Sequence, residues 1–240
     1  MPTSLRFVSR TSAAARPRRS YVLTGGVLLT ALAGYVNTTV LAYFAVPVSH
    51  VSGAVSRVGL DLVTGRTADL ATVGGIVAGF FAGAVLSGLA IGGREVTEGR
   101  RYGVALVAEG VLLGAAALLL GRGGVGAAVG VVIAAMACGL QNGLASHYRG
   151  LVLRTTHMTG IVTDLGVLTG HRLRGADVSA WKLRFLAALL AGFLGGSMAG
   201  AWAVPHAGAR ALWAAAALCV AMGTAYAAYR HRRHPRPARR

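Results

Sequence analysis

The polar residues that could do chemistry in this 240-residue chain are few, and they come in pairs. Asn37 and Asn142 stand at matched places in Gly34-Tyr35-Val36-Asn37 and Gly139-Leu140-Gln141-Asn142. His50 and His157 each open a His-x-Ser/Thr-Gly turn, His50-Val51-Ser52-Gly53 in one half and His157-Met158-Thr159-Gly160 in the other. An amide side chain offers a carbonyl oxygen and two N–H donors. It can hold a polar solute or a cation, or it can bond to a neighbouring helix. A Ser or Thr ahead of a helix caps free N–H groups, and Gly permits a sharp chain reversal. Asn37, Asn142, His50, Ser52, Gly53, His157, Thr159 and Gly160 are therefore the candidate substrate-binding set, while Gln141 reads as helix-to-helix glue. Two His without neighbouring Cys or carboxylate partners make a poor metal site, so neither a metal nor a cofactor is expected. Helix-start hydrogen bonding is the plainer role for both His, with pH sensing left open.

Three charged residues complete the candidate site. Glu109 is the sole carboxylate deep in an apolar run. A carboxyl group inside a bilayer is neutral or paired, which makes Glu109 a candidate proton carrier. The alternative is a side chain snorkelling toward Arg100 or Arg101, about two turns away. Arg57 and Asp61 are spaced to share one helix face and pair. Asp164 falls at the Arg57 position of the second half, so Arg57 and Asp164 are a candidate gate, with solvated surface charges as the plain alternative. No Walker loop, Gly-x-Ser-x-Gly elbow, His-Glu-x-x-His or Cys-x-x-Cys occurs, and no third group orients a His–Ser/Thr pair. An enzyme is not expected.

The elements that position these residues follow from composition. The chain is 55% hydrophobic with 35 glycines and only 13% charge, and its mean hydropathy is +0.61. Such a balance excludes a disordered or ordinary globular protein and points to an integral membrane one. Cys138 and Cys219 both lie in apolar runs, which argues against a disulfide framework. About 20 apolar residues span a ~30 Å hydrocarbon core. Six runs qualify: 21–46, 70–93, 102–121, 125–145, 185–204 and 211–229. An all-α, polytopic helical bundle is the expected fold, as one membrane domain over 21–229 between basic tails at 1–20 and 230–240.

The formal charge of +17 is set by where 24 Lys and Arg fall. With the N-terminus inside, the inner segments hold five, three, six and six of them, and the outer segments hold only Arg57, Arg66, Arg122 and Arg210. Both termini are therefore expected in the cytoplasm, and no nucleic-acid partner is needed to explain the charge. The tails are topogenic, with anionic lipid headgroups as the one partner they suit. Arg18-Arg19 followed by an apolar run resembles a twin-arginine signal. The run continues well past the Ala31-Leu32-Ala33 cleavage candidate, however, and is read as a true span.

The halves resemble each other in four places in the same order. Besides the Asn and His motifs, Gly59 pairs with Gly166, and Ala78-Gly79-Phe80-Phe81-Ala82-Gly83 faces Ala191-Gly192-Phe193-Leu194-Gly195-Gly196. Repeat one covers about 21–121 and repeat two about 125–229. Three spans per copy is an odd number, so the second copy is inverted, an architecture that recurs in transporters with sites near the repeat interface. The segments 48–65 and 155–170 are too short to span and are expected as re-entrant half-helices or as interfacial ones. Gly75, Gly79 and Gly83, and likewise Gly192, Gly196 and Gly200, recur every fourth residue as helix-packing stripes.

Ala33-Gly34-Tyr35-Val36-Asn37, Ser49-His50-Val51-Ser52-Gly53, Gly139-Leu140-Gln141-Asn142 and Thr156-His157-Met158-Thr159-Gly160 resemble motifs of the YoaK-like family. The resemblance runs over about 21–229 and implies a bacterial multi-pass inner-membrane protein, without adding a substrate. Many members have Asp where this chain has Asn37, and Thr-Gly-Asn where it has Ser52-Gly53-Ala54, so an acidic ligand at that place is not available here. The expected function is a transporter or channel-like protein for a small solute, passive or coupled to protons or another ion. The alternative is a non-transporting scaffold or lipid-contacting protein. Neither substrate nor oligomeric state is legible.

Overall fold

Backbone in hydrocarbon must satisfy its own hydrogen bonds, and every described element is helical. The computed structural model describes residues 16–45, 47–91, 101–146 and 154–233. The basic tails before 16 and after 233, and the loop cations Arg94, Arg100 and Arg149, lie outside the described residues. Eight α-helices are described: α1 (Arg16–Phe44), α2 (Val51–Thr64), α3 (Thr67–Ile91), α4 (Arg101–Leu120), α5 (Gly124–Ser146), α6 (Met158–Leu173), α7 (Ala180–Ala207) and α8 (Leu212–Arg233). Five stretches are long and apolar enough to cross a membrane: Leu23–Phe44, Leu70–Ile91, Arg101–Leu120, Gly124–Ala145 and Ala180–Arg232. The last runs for 53 residues and contains both α7 and α8, separated by a 3-10 turn at Gly208–Ala211. Helix α1 begins at Arg16, earlier than the hydropathy alone indicates, because Pro17 sits in the first turn where its missing N–H costs nothing.

Close helix pairing is written in glycine. Gly192, Gly196 and Gly200 of α7 lie against Val27, Ala31 and Tyr35 of α1, a constant step in the same direction on both helices, so α1 and α7 run parallel. In the same way Gly79 and Gly83 of α3 meet Val132 and Met136 of α5, and Gly139 and Gly143 of α5 meet Phe80 and Ser87 of α3. That pair is parallel too. Helices α4 and α8 cross in opposite directions, with Gly103 against Gly223, Gly110 against Ala216 and Gly114 against Trp213. Backbones approach this closely only where a Cβ is missing. A methyl group on Gly79 would lie 2.6 Å from the Val132 carbonyl oxygen.

Helix α4 returns as α5 through a turn in which Gly123 and Gly124 take positive φ. Both described ends of the chain, with the start of α4 and the end of α5, share one end of the bundle, here called basal; the ends of α1 and α4 and the starts of α3 and α5 lie at the apical end. The main core joins Leu32, Val36 and Val40 of α1 with Ile76, Leu113, Val131, Ala134, Leu212 and Cys219. Helices α2 and α6 sit at the periphery, α2 on α3 and α6 on α7, and do not touch each other. Only Ala54 and Asp61 of α2 and Ile161 of α6 are buried.

Candidate functional site

Asn37 lies seven residues before the end of α1, about 10 Å below it by helical rise, and its side chain is buried. Its Oδ1 accepts hydrogen bonds from Ser49 N at 3.1 Å and from Ser49 Oγ at 2.9 Å. The chain leaving α1 therefore turns back to the depth of Asn37 before α2 starts at Val51. The second half repeats the arrangement, as Asn142 Oδ1 accepts from Thr156 N at 3.4 Å, just ahead of α6. Gln141 adds a strut, donating from Nε2 to the Leu29 carbonyl oxygen of α1 at 3.0 Å and accepting from Thr155 Oγ1 at 3.5 Å. Each Asn is thus a bracket that fixes where a short helix begins.

The paired His residues occupy different surroundings. His50 is half-buried, with its ring edge-on to Phe193 of α7 at a centroid distance of 6.1 Å. Burial holds its pKa below the usual value for an imidazole. His157 is exposed, and its ring lies over Gly160, whose missing side chain leaves the room. Neither His caps its helix through the side chain. Ser52, Gly53 and Thr159 are exposed, and Gly53 has open space where a Cβ would stand. Arg57 pairs with Asp61 on its own helix through Nε, at 2.9 and 3.0 Å to the two carboxylate oxygens. Asp61 is buried, and Asp164 is exposed on α6. Because α2 and α6 do not touch, the structure does not bring Arg57 and Asp164 together.

Glu109 is 2% exposed, so it does not reach toward the exposed Arg101. It faces the core between α4, α5 and α8, where the buried Cys219 thiol hydrogen-bonds to its carboxyl group and the buried Cys138 lies nearby. Among the described residues its Oε2 has no hydrogen-bond partner. Two clefts flank this centre. The basal cleft, 510 Å³, is walled by Thr24, Gly25, Gly26, Leu28 and Leu29 of α1 and by residues of α4, α5 and α8 including Tyr102, Leu106, Met222 and Tyr226. The apical cleft, 710 Å³, is walled by Tyr43 and Phe44 of α1, by Gly53 and Arg57 of α2, and by Leu120, Ala127, Ala128 and Val131 around the α4–α5 turn. Along α4, Glu109 lies three residues beyond Leu106 and eleven before Leu120, so it stands between the two. Among the described residues no cluster of three His, Cys, Asp or Glu is placed to hold a metal.

The model of a family described as a protein of unknown function (DUF1275) matches residues 25–225. The chain belongs to this family. The match takes in both Asn brackets, Glu109, the apical cleft and the basal cleft except Thr24, Tyr226 and Tyr229. No curated protein and no solved structure matches the sequence. The apolar helices, five stretches of them long enough to cross a bilayer, make it a multi-pass membrane protein.

Sequence reasoning had singled out the two Asn but not their partners Ser49 and Thr156. The signal was available, since a hydroxyl residue precedes the His in both copies. Gly34 and Gly139, at the starts of the matched Asn motifs, also went unread. Each faces the backbone of the partner helix, Phe193 for Gly34 and Phe80 for Gly139. The basal cleft carries no motif, and of the apical cleft's walls only Gly53 and Arg57 are among the residues singled out in the sequence.

Proposed function

We propose that the protein is a carrier for a small solute, built from six membrane helices as two inverted three-helix repeats, with Glu109 carrying the coupling proton. The observation that carries this reading is the pair of clefts lying at opposite ends of the bundle, separated by a packed core that holds one buried carboxyl group with an oxygen to spare. The helix register supports the inverted repeat: the first helix of each copy runs parallel to the second helix of the other, and the third helices cross antiparallel. Division of the 53-residue stretch at Pro205 and Gly208, where α7 stops, supplies the sixth crossing. Brackets that hold the starts of α2 and α6 below the ends of α1 and α5 favour re-entrant short helices over purely interfacial ones. The positive-inside count puts the basal end, with both termini, on the cytoplasmic side.

Helix α1 forms a wall of both clefts and is knit to α7 by glycines, while it touches α5 and α8 lightly. Rocking of the α1–α7 unit closes one cleft as it opens the other. The test is flux through the full chain in liposomes loaded with a pH-sensitive dye, challenged in turn with amino acids, sugars and organic acids. A carrier moves protons with one solute class, and Glu109→Gln abolishes the proton movement but leaves solute exchange. Absence of protein-dependent flux for every class overturns the proposal and leaves a membrane scaffold.

A further inference from the structure

The basal cleft is lined almost wholly by apolar groups. Apart from Thr24 and the hydroxyls of Tyr102, Tyr226 and Tyr229, its walls are Gly, Ala, Leu and Met, and among the described residues no carboxylate lines it. It lies between α1 and α8, which are barely in contact. Its rim residues Leu28 and Tyr229 are each 47% exposed on the outside of the bundle, so the gap faces sideways into the bilayer. The three tyrosines lie toward the start of α4 and the end of α8, at the depth where amphipathic rings sit beside headgroups. Cations border the same rim, as Arg101 precedes Tyr102 and Arg230 follows Tyr229. A cleft of this size with apolar walls and a few polar groups at one end is built for an amphiphile.

We infer that the basal cleft is a binding site for an anionic glycerophospholipid of the adjoining leaflet, one acyl chain lying between α1 and α8 and the headgroup held at the Arg101–Arg230 rim. Charge selects the occupant: each Arg near the surface favours an anionic over a zwitterionic headgroup by about fivefold. The inference stands apart from transport, since a scaffold would bind the lipid equally well. Gly25 offers a clean way to fill the cleft, because it lines the wall and a Cβ there meets nothing within 4 Å.

The experiment uses the full chain in vesicles of phosphatidylcholine and phosphatidylglycerol with a trace of phosphatidylglycerol carrying a diazirine on one acyl chain. After irradiation, adducts are mapped by mass spectrometry. Adducts concentrated on Leu28, Leu106 and Met222 are expected, together with their loss in Gly25→Leu at an unchanged melting temperature. Ala225→Leu fills the cleft from the opposite wall and gives the same loss independently. Arg101→Gln should lower the preference over a phosphatidylcholine probe by about fivefold. Adducts spread over outward residues such as Phe81 and Trp202 and indifferent to both filling variants would overturn the site. Equal labelling by the two probes would overturn the headgroup assignment and with it the inference.

Discussion

Asn37 spends its carbonyl oxygen on Ser49, and this makes its contribution measurable without any ligand. Asn37→Ala leaves the buried Ser49 N–H and hydroxyl without their acceptor, a loss of about 2 kcal/mol. Asn37→Asp keeps an acceptor in place. Thermal melting should rank wild type near the Asp variant and well above the Ala variant, and Asn142→Ala should cost less because its bond to Thr156 is longer. An Asn37→Ala protein that melts like wild type would show that the bracket is not needed. His50 gives a second test at this scale. Its folded-state pKa is depressed by burial, so folding favours the neutral ring. That stabilisation is complete above the unfolded value near 6.5 and is lost as pH falls below it toward the folded-state value. Melting temperature should therefore drop from pH 7.5 to pH 5 more steeply in wild type than in His50→Gln; parallel curves would remove His50 from the pH response. The pairing of Asn37 with Asn142 was legible in the repeat. Their bracketing role was not, because the partners Ser49 and Thr156 lie 12 and 14 residues downstream, beyond the reach of any helical or strand period.

Among elements, the helices were the most legible feature, since a run of apolar residues long enough to cross a bilayer has one backbone solution. Their partners were less so. Stripes in α3 and α7 announced that something packs closely, but a glycine stripe does not say against which helix, in which direction, or whether a neighbouring glycine belongs to it. Gly195 and Gly196 make the point: Gly196 faces the Ala31 backbone of α1, whereas Gly195 has open space around it. Gly196→Ala must push α1 and α7 apart and should destabilise by about 1–3 kcal/mol. Gly195→Ala should be neutral or gain about 0.5–1 kcal/mol from helix propensity. Thermal melts of the two variants in one detergent decide this, and similar values would mean that close approach at Gly196 does not hold α1 to α7. Single cysteines along α2 and α6 test the short helices in the same spirit, aided by the burial of both native thiols. Re-entrant helices give periodic labelling by an impermeant reagent that reaches Val51 from one side and Met158 from the other; uniform labelling along each would make them interfacial.

For the whole molecule, repeated sequence predicts a symmetric object, and the structure departs from it where the two repeats are joined. Helices α4 and α5 pack together because the short turn Gly121–Gly123 joins them, whereas the counterpart pair, α8 and α1, has no such link and stands open as the basal cleft. No periodicity could announce that difference, which arises from connectivity alone. In the proposed carrier it makes α1 the lever. Its start walls the basal cleft, its end walls the apical one, and between them Tyr35 Oη donates to the Ala211 carbonyl oxygen at 2.9 Å and Asn37 holds Ser49. These bonds lie about 9 Å along the helix from either cleft and are placed as a pivot. If α1 rocks on them, the two clefts cannot change independently. With Cys138→Ser and Cys219→Ser as background, a short thiol crosslink between Leu28→Cys and Ala225→Cys should pull the basal cleft shut. Spin labels at Tyr43 and Ala128 should then report a longer distance across the apical cleft than in the uncrosslinked protein. A long flexible crosslinker at the same basal pair should leave the apical distance unchanged, because it permits the lever its full travel. An apical distance that ignores the short crosslink as well would make the clefts separate surface features, and the core around Glu109 would then be a fixed wall with no access from either side.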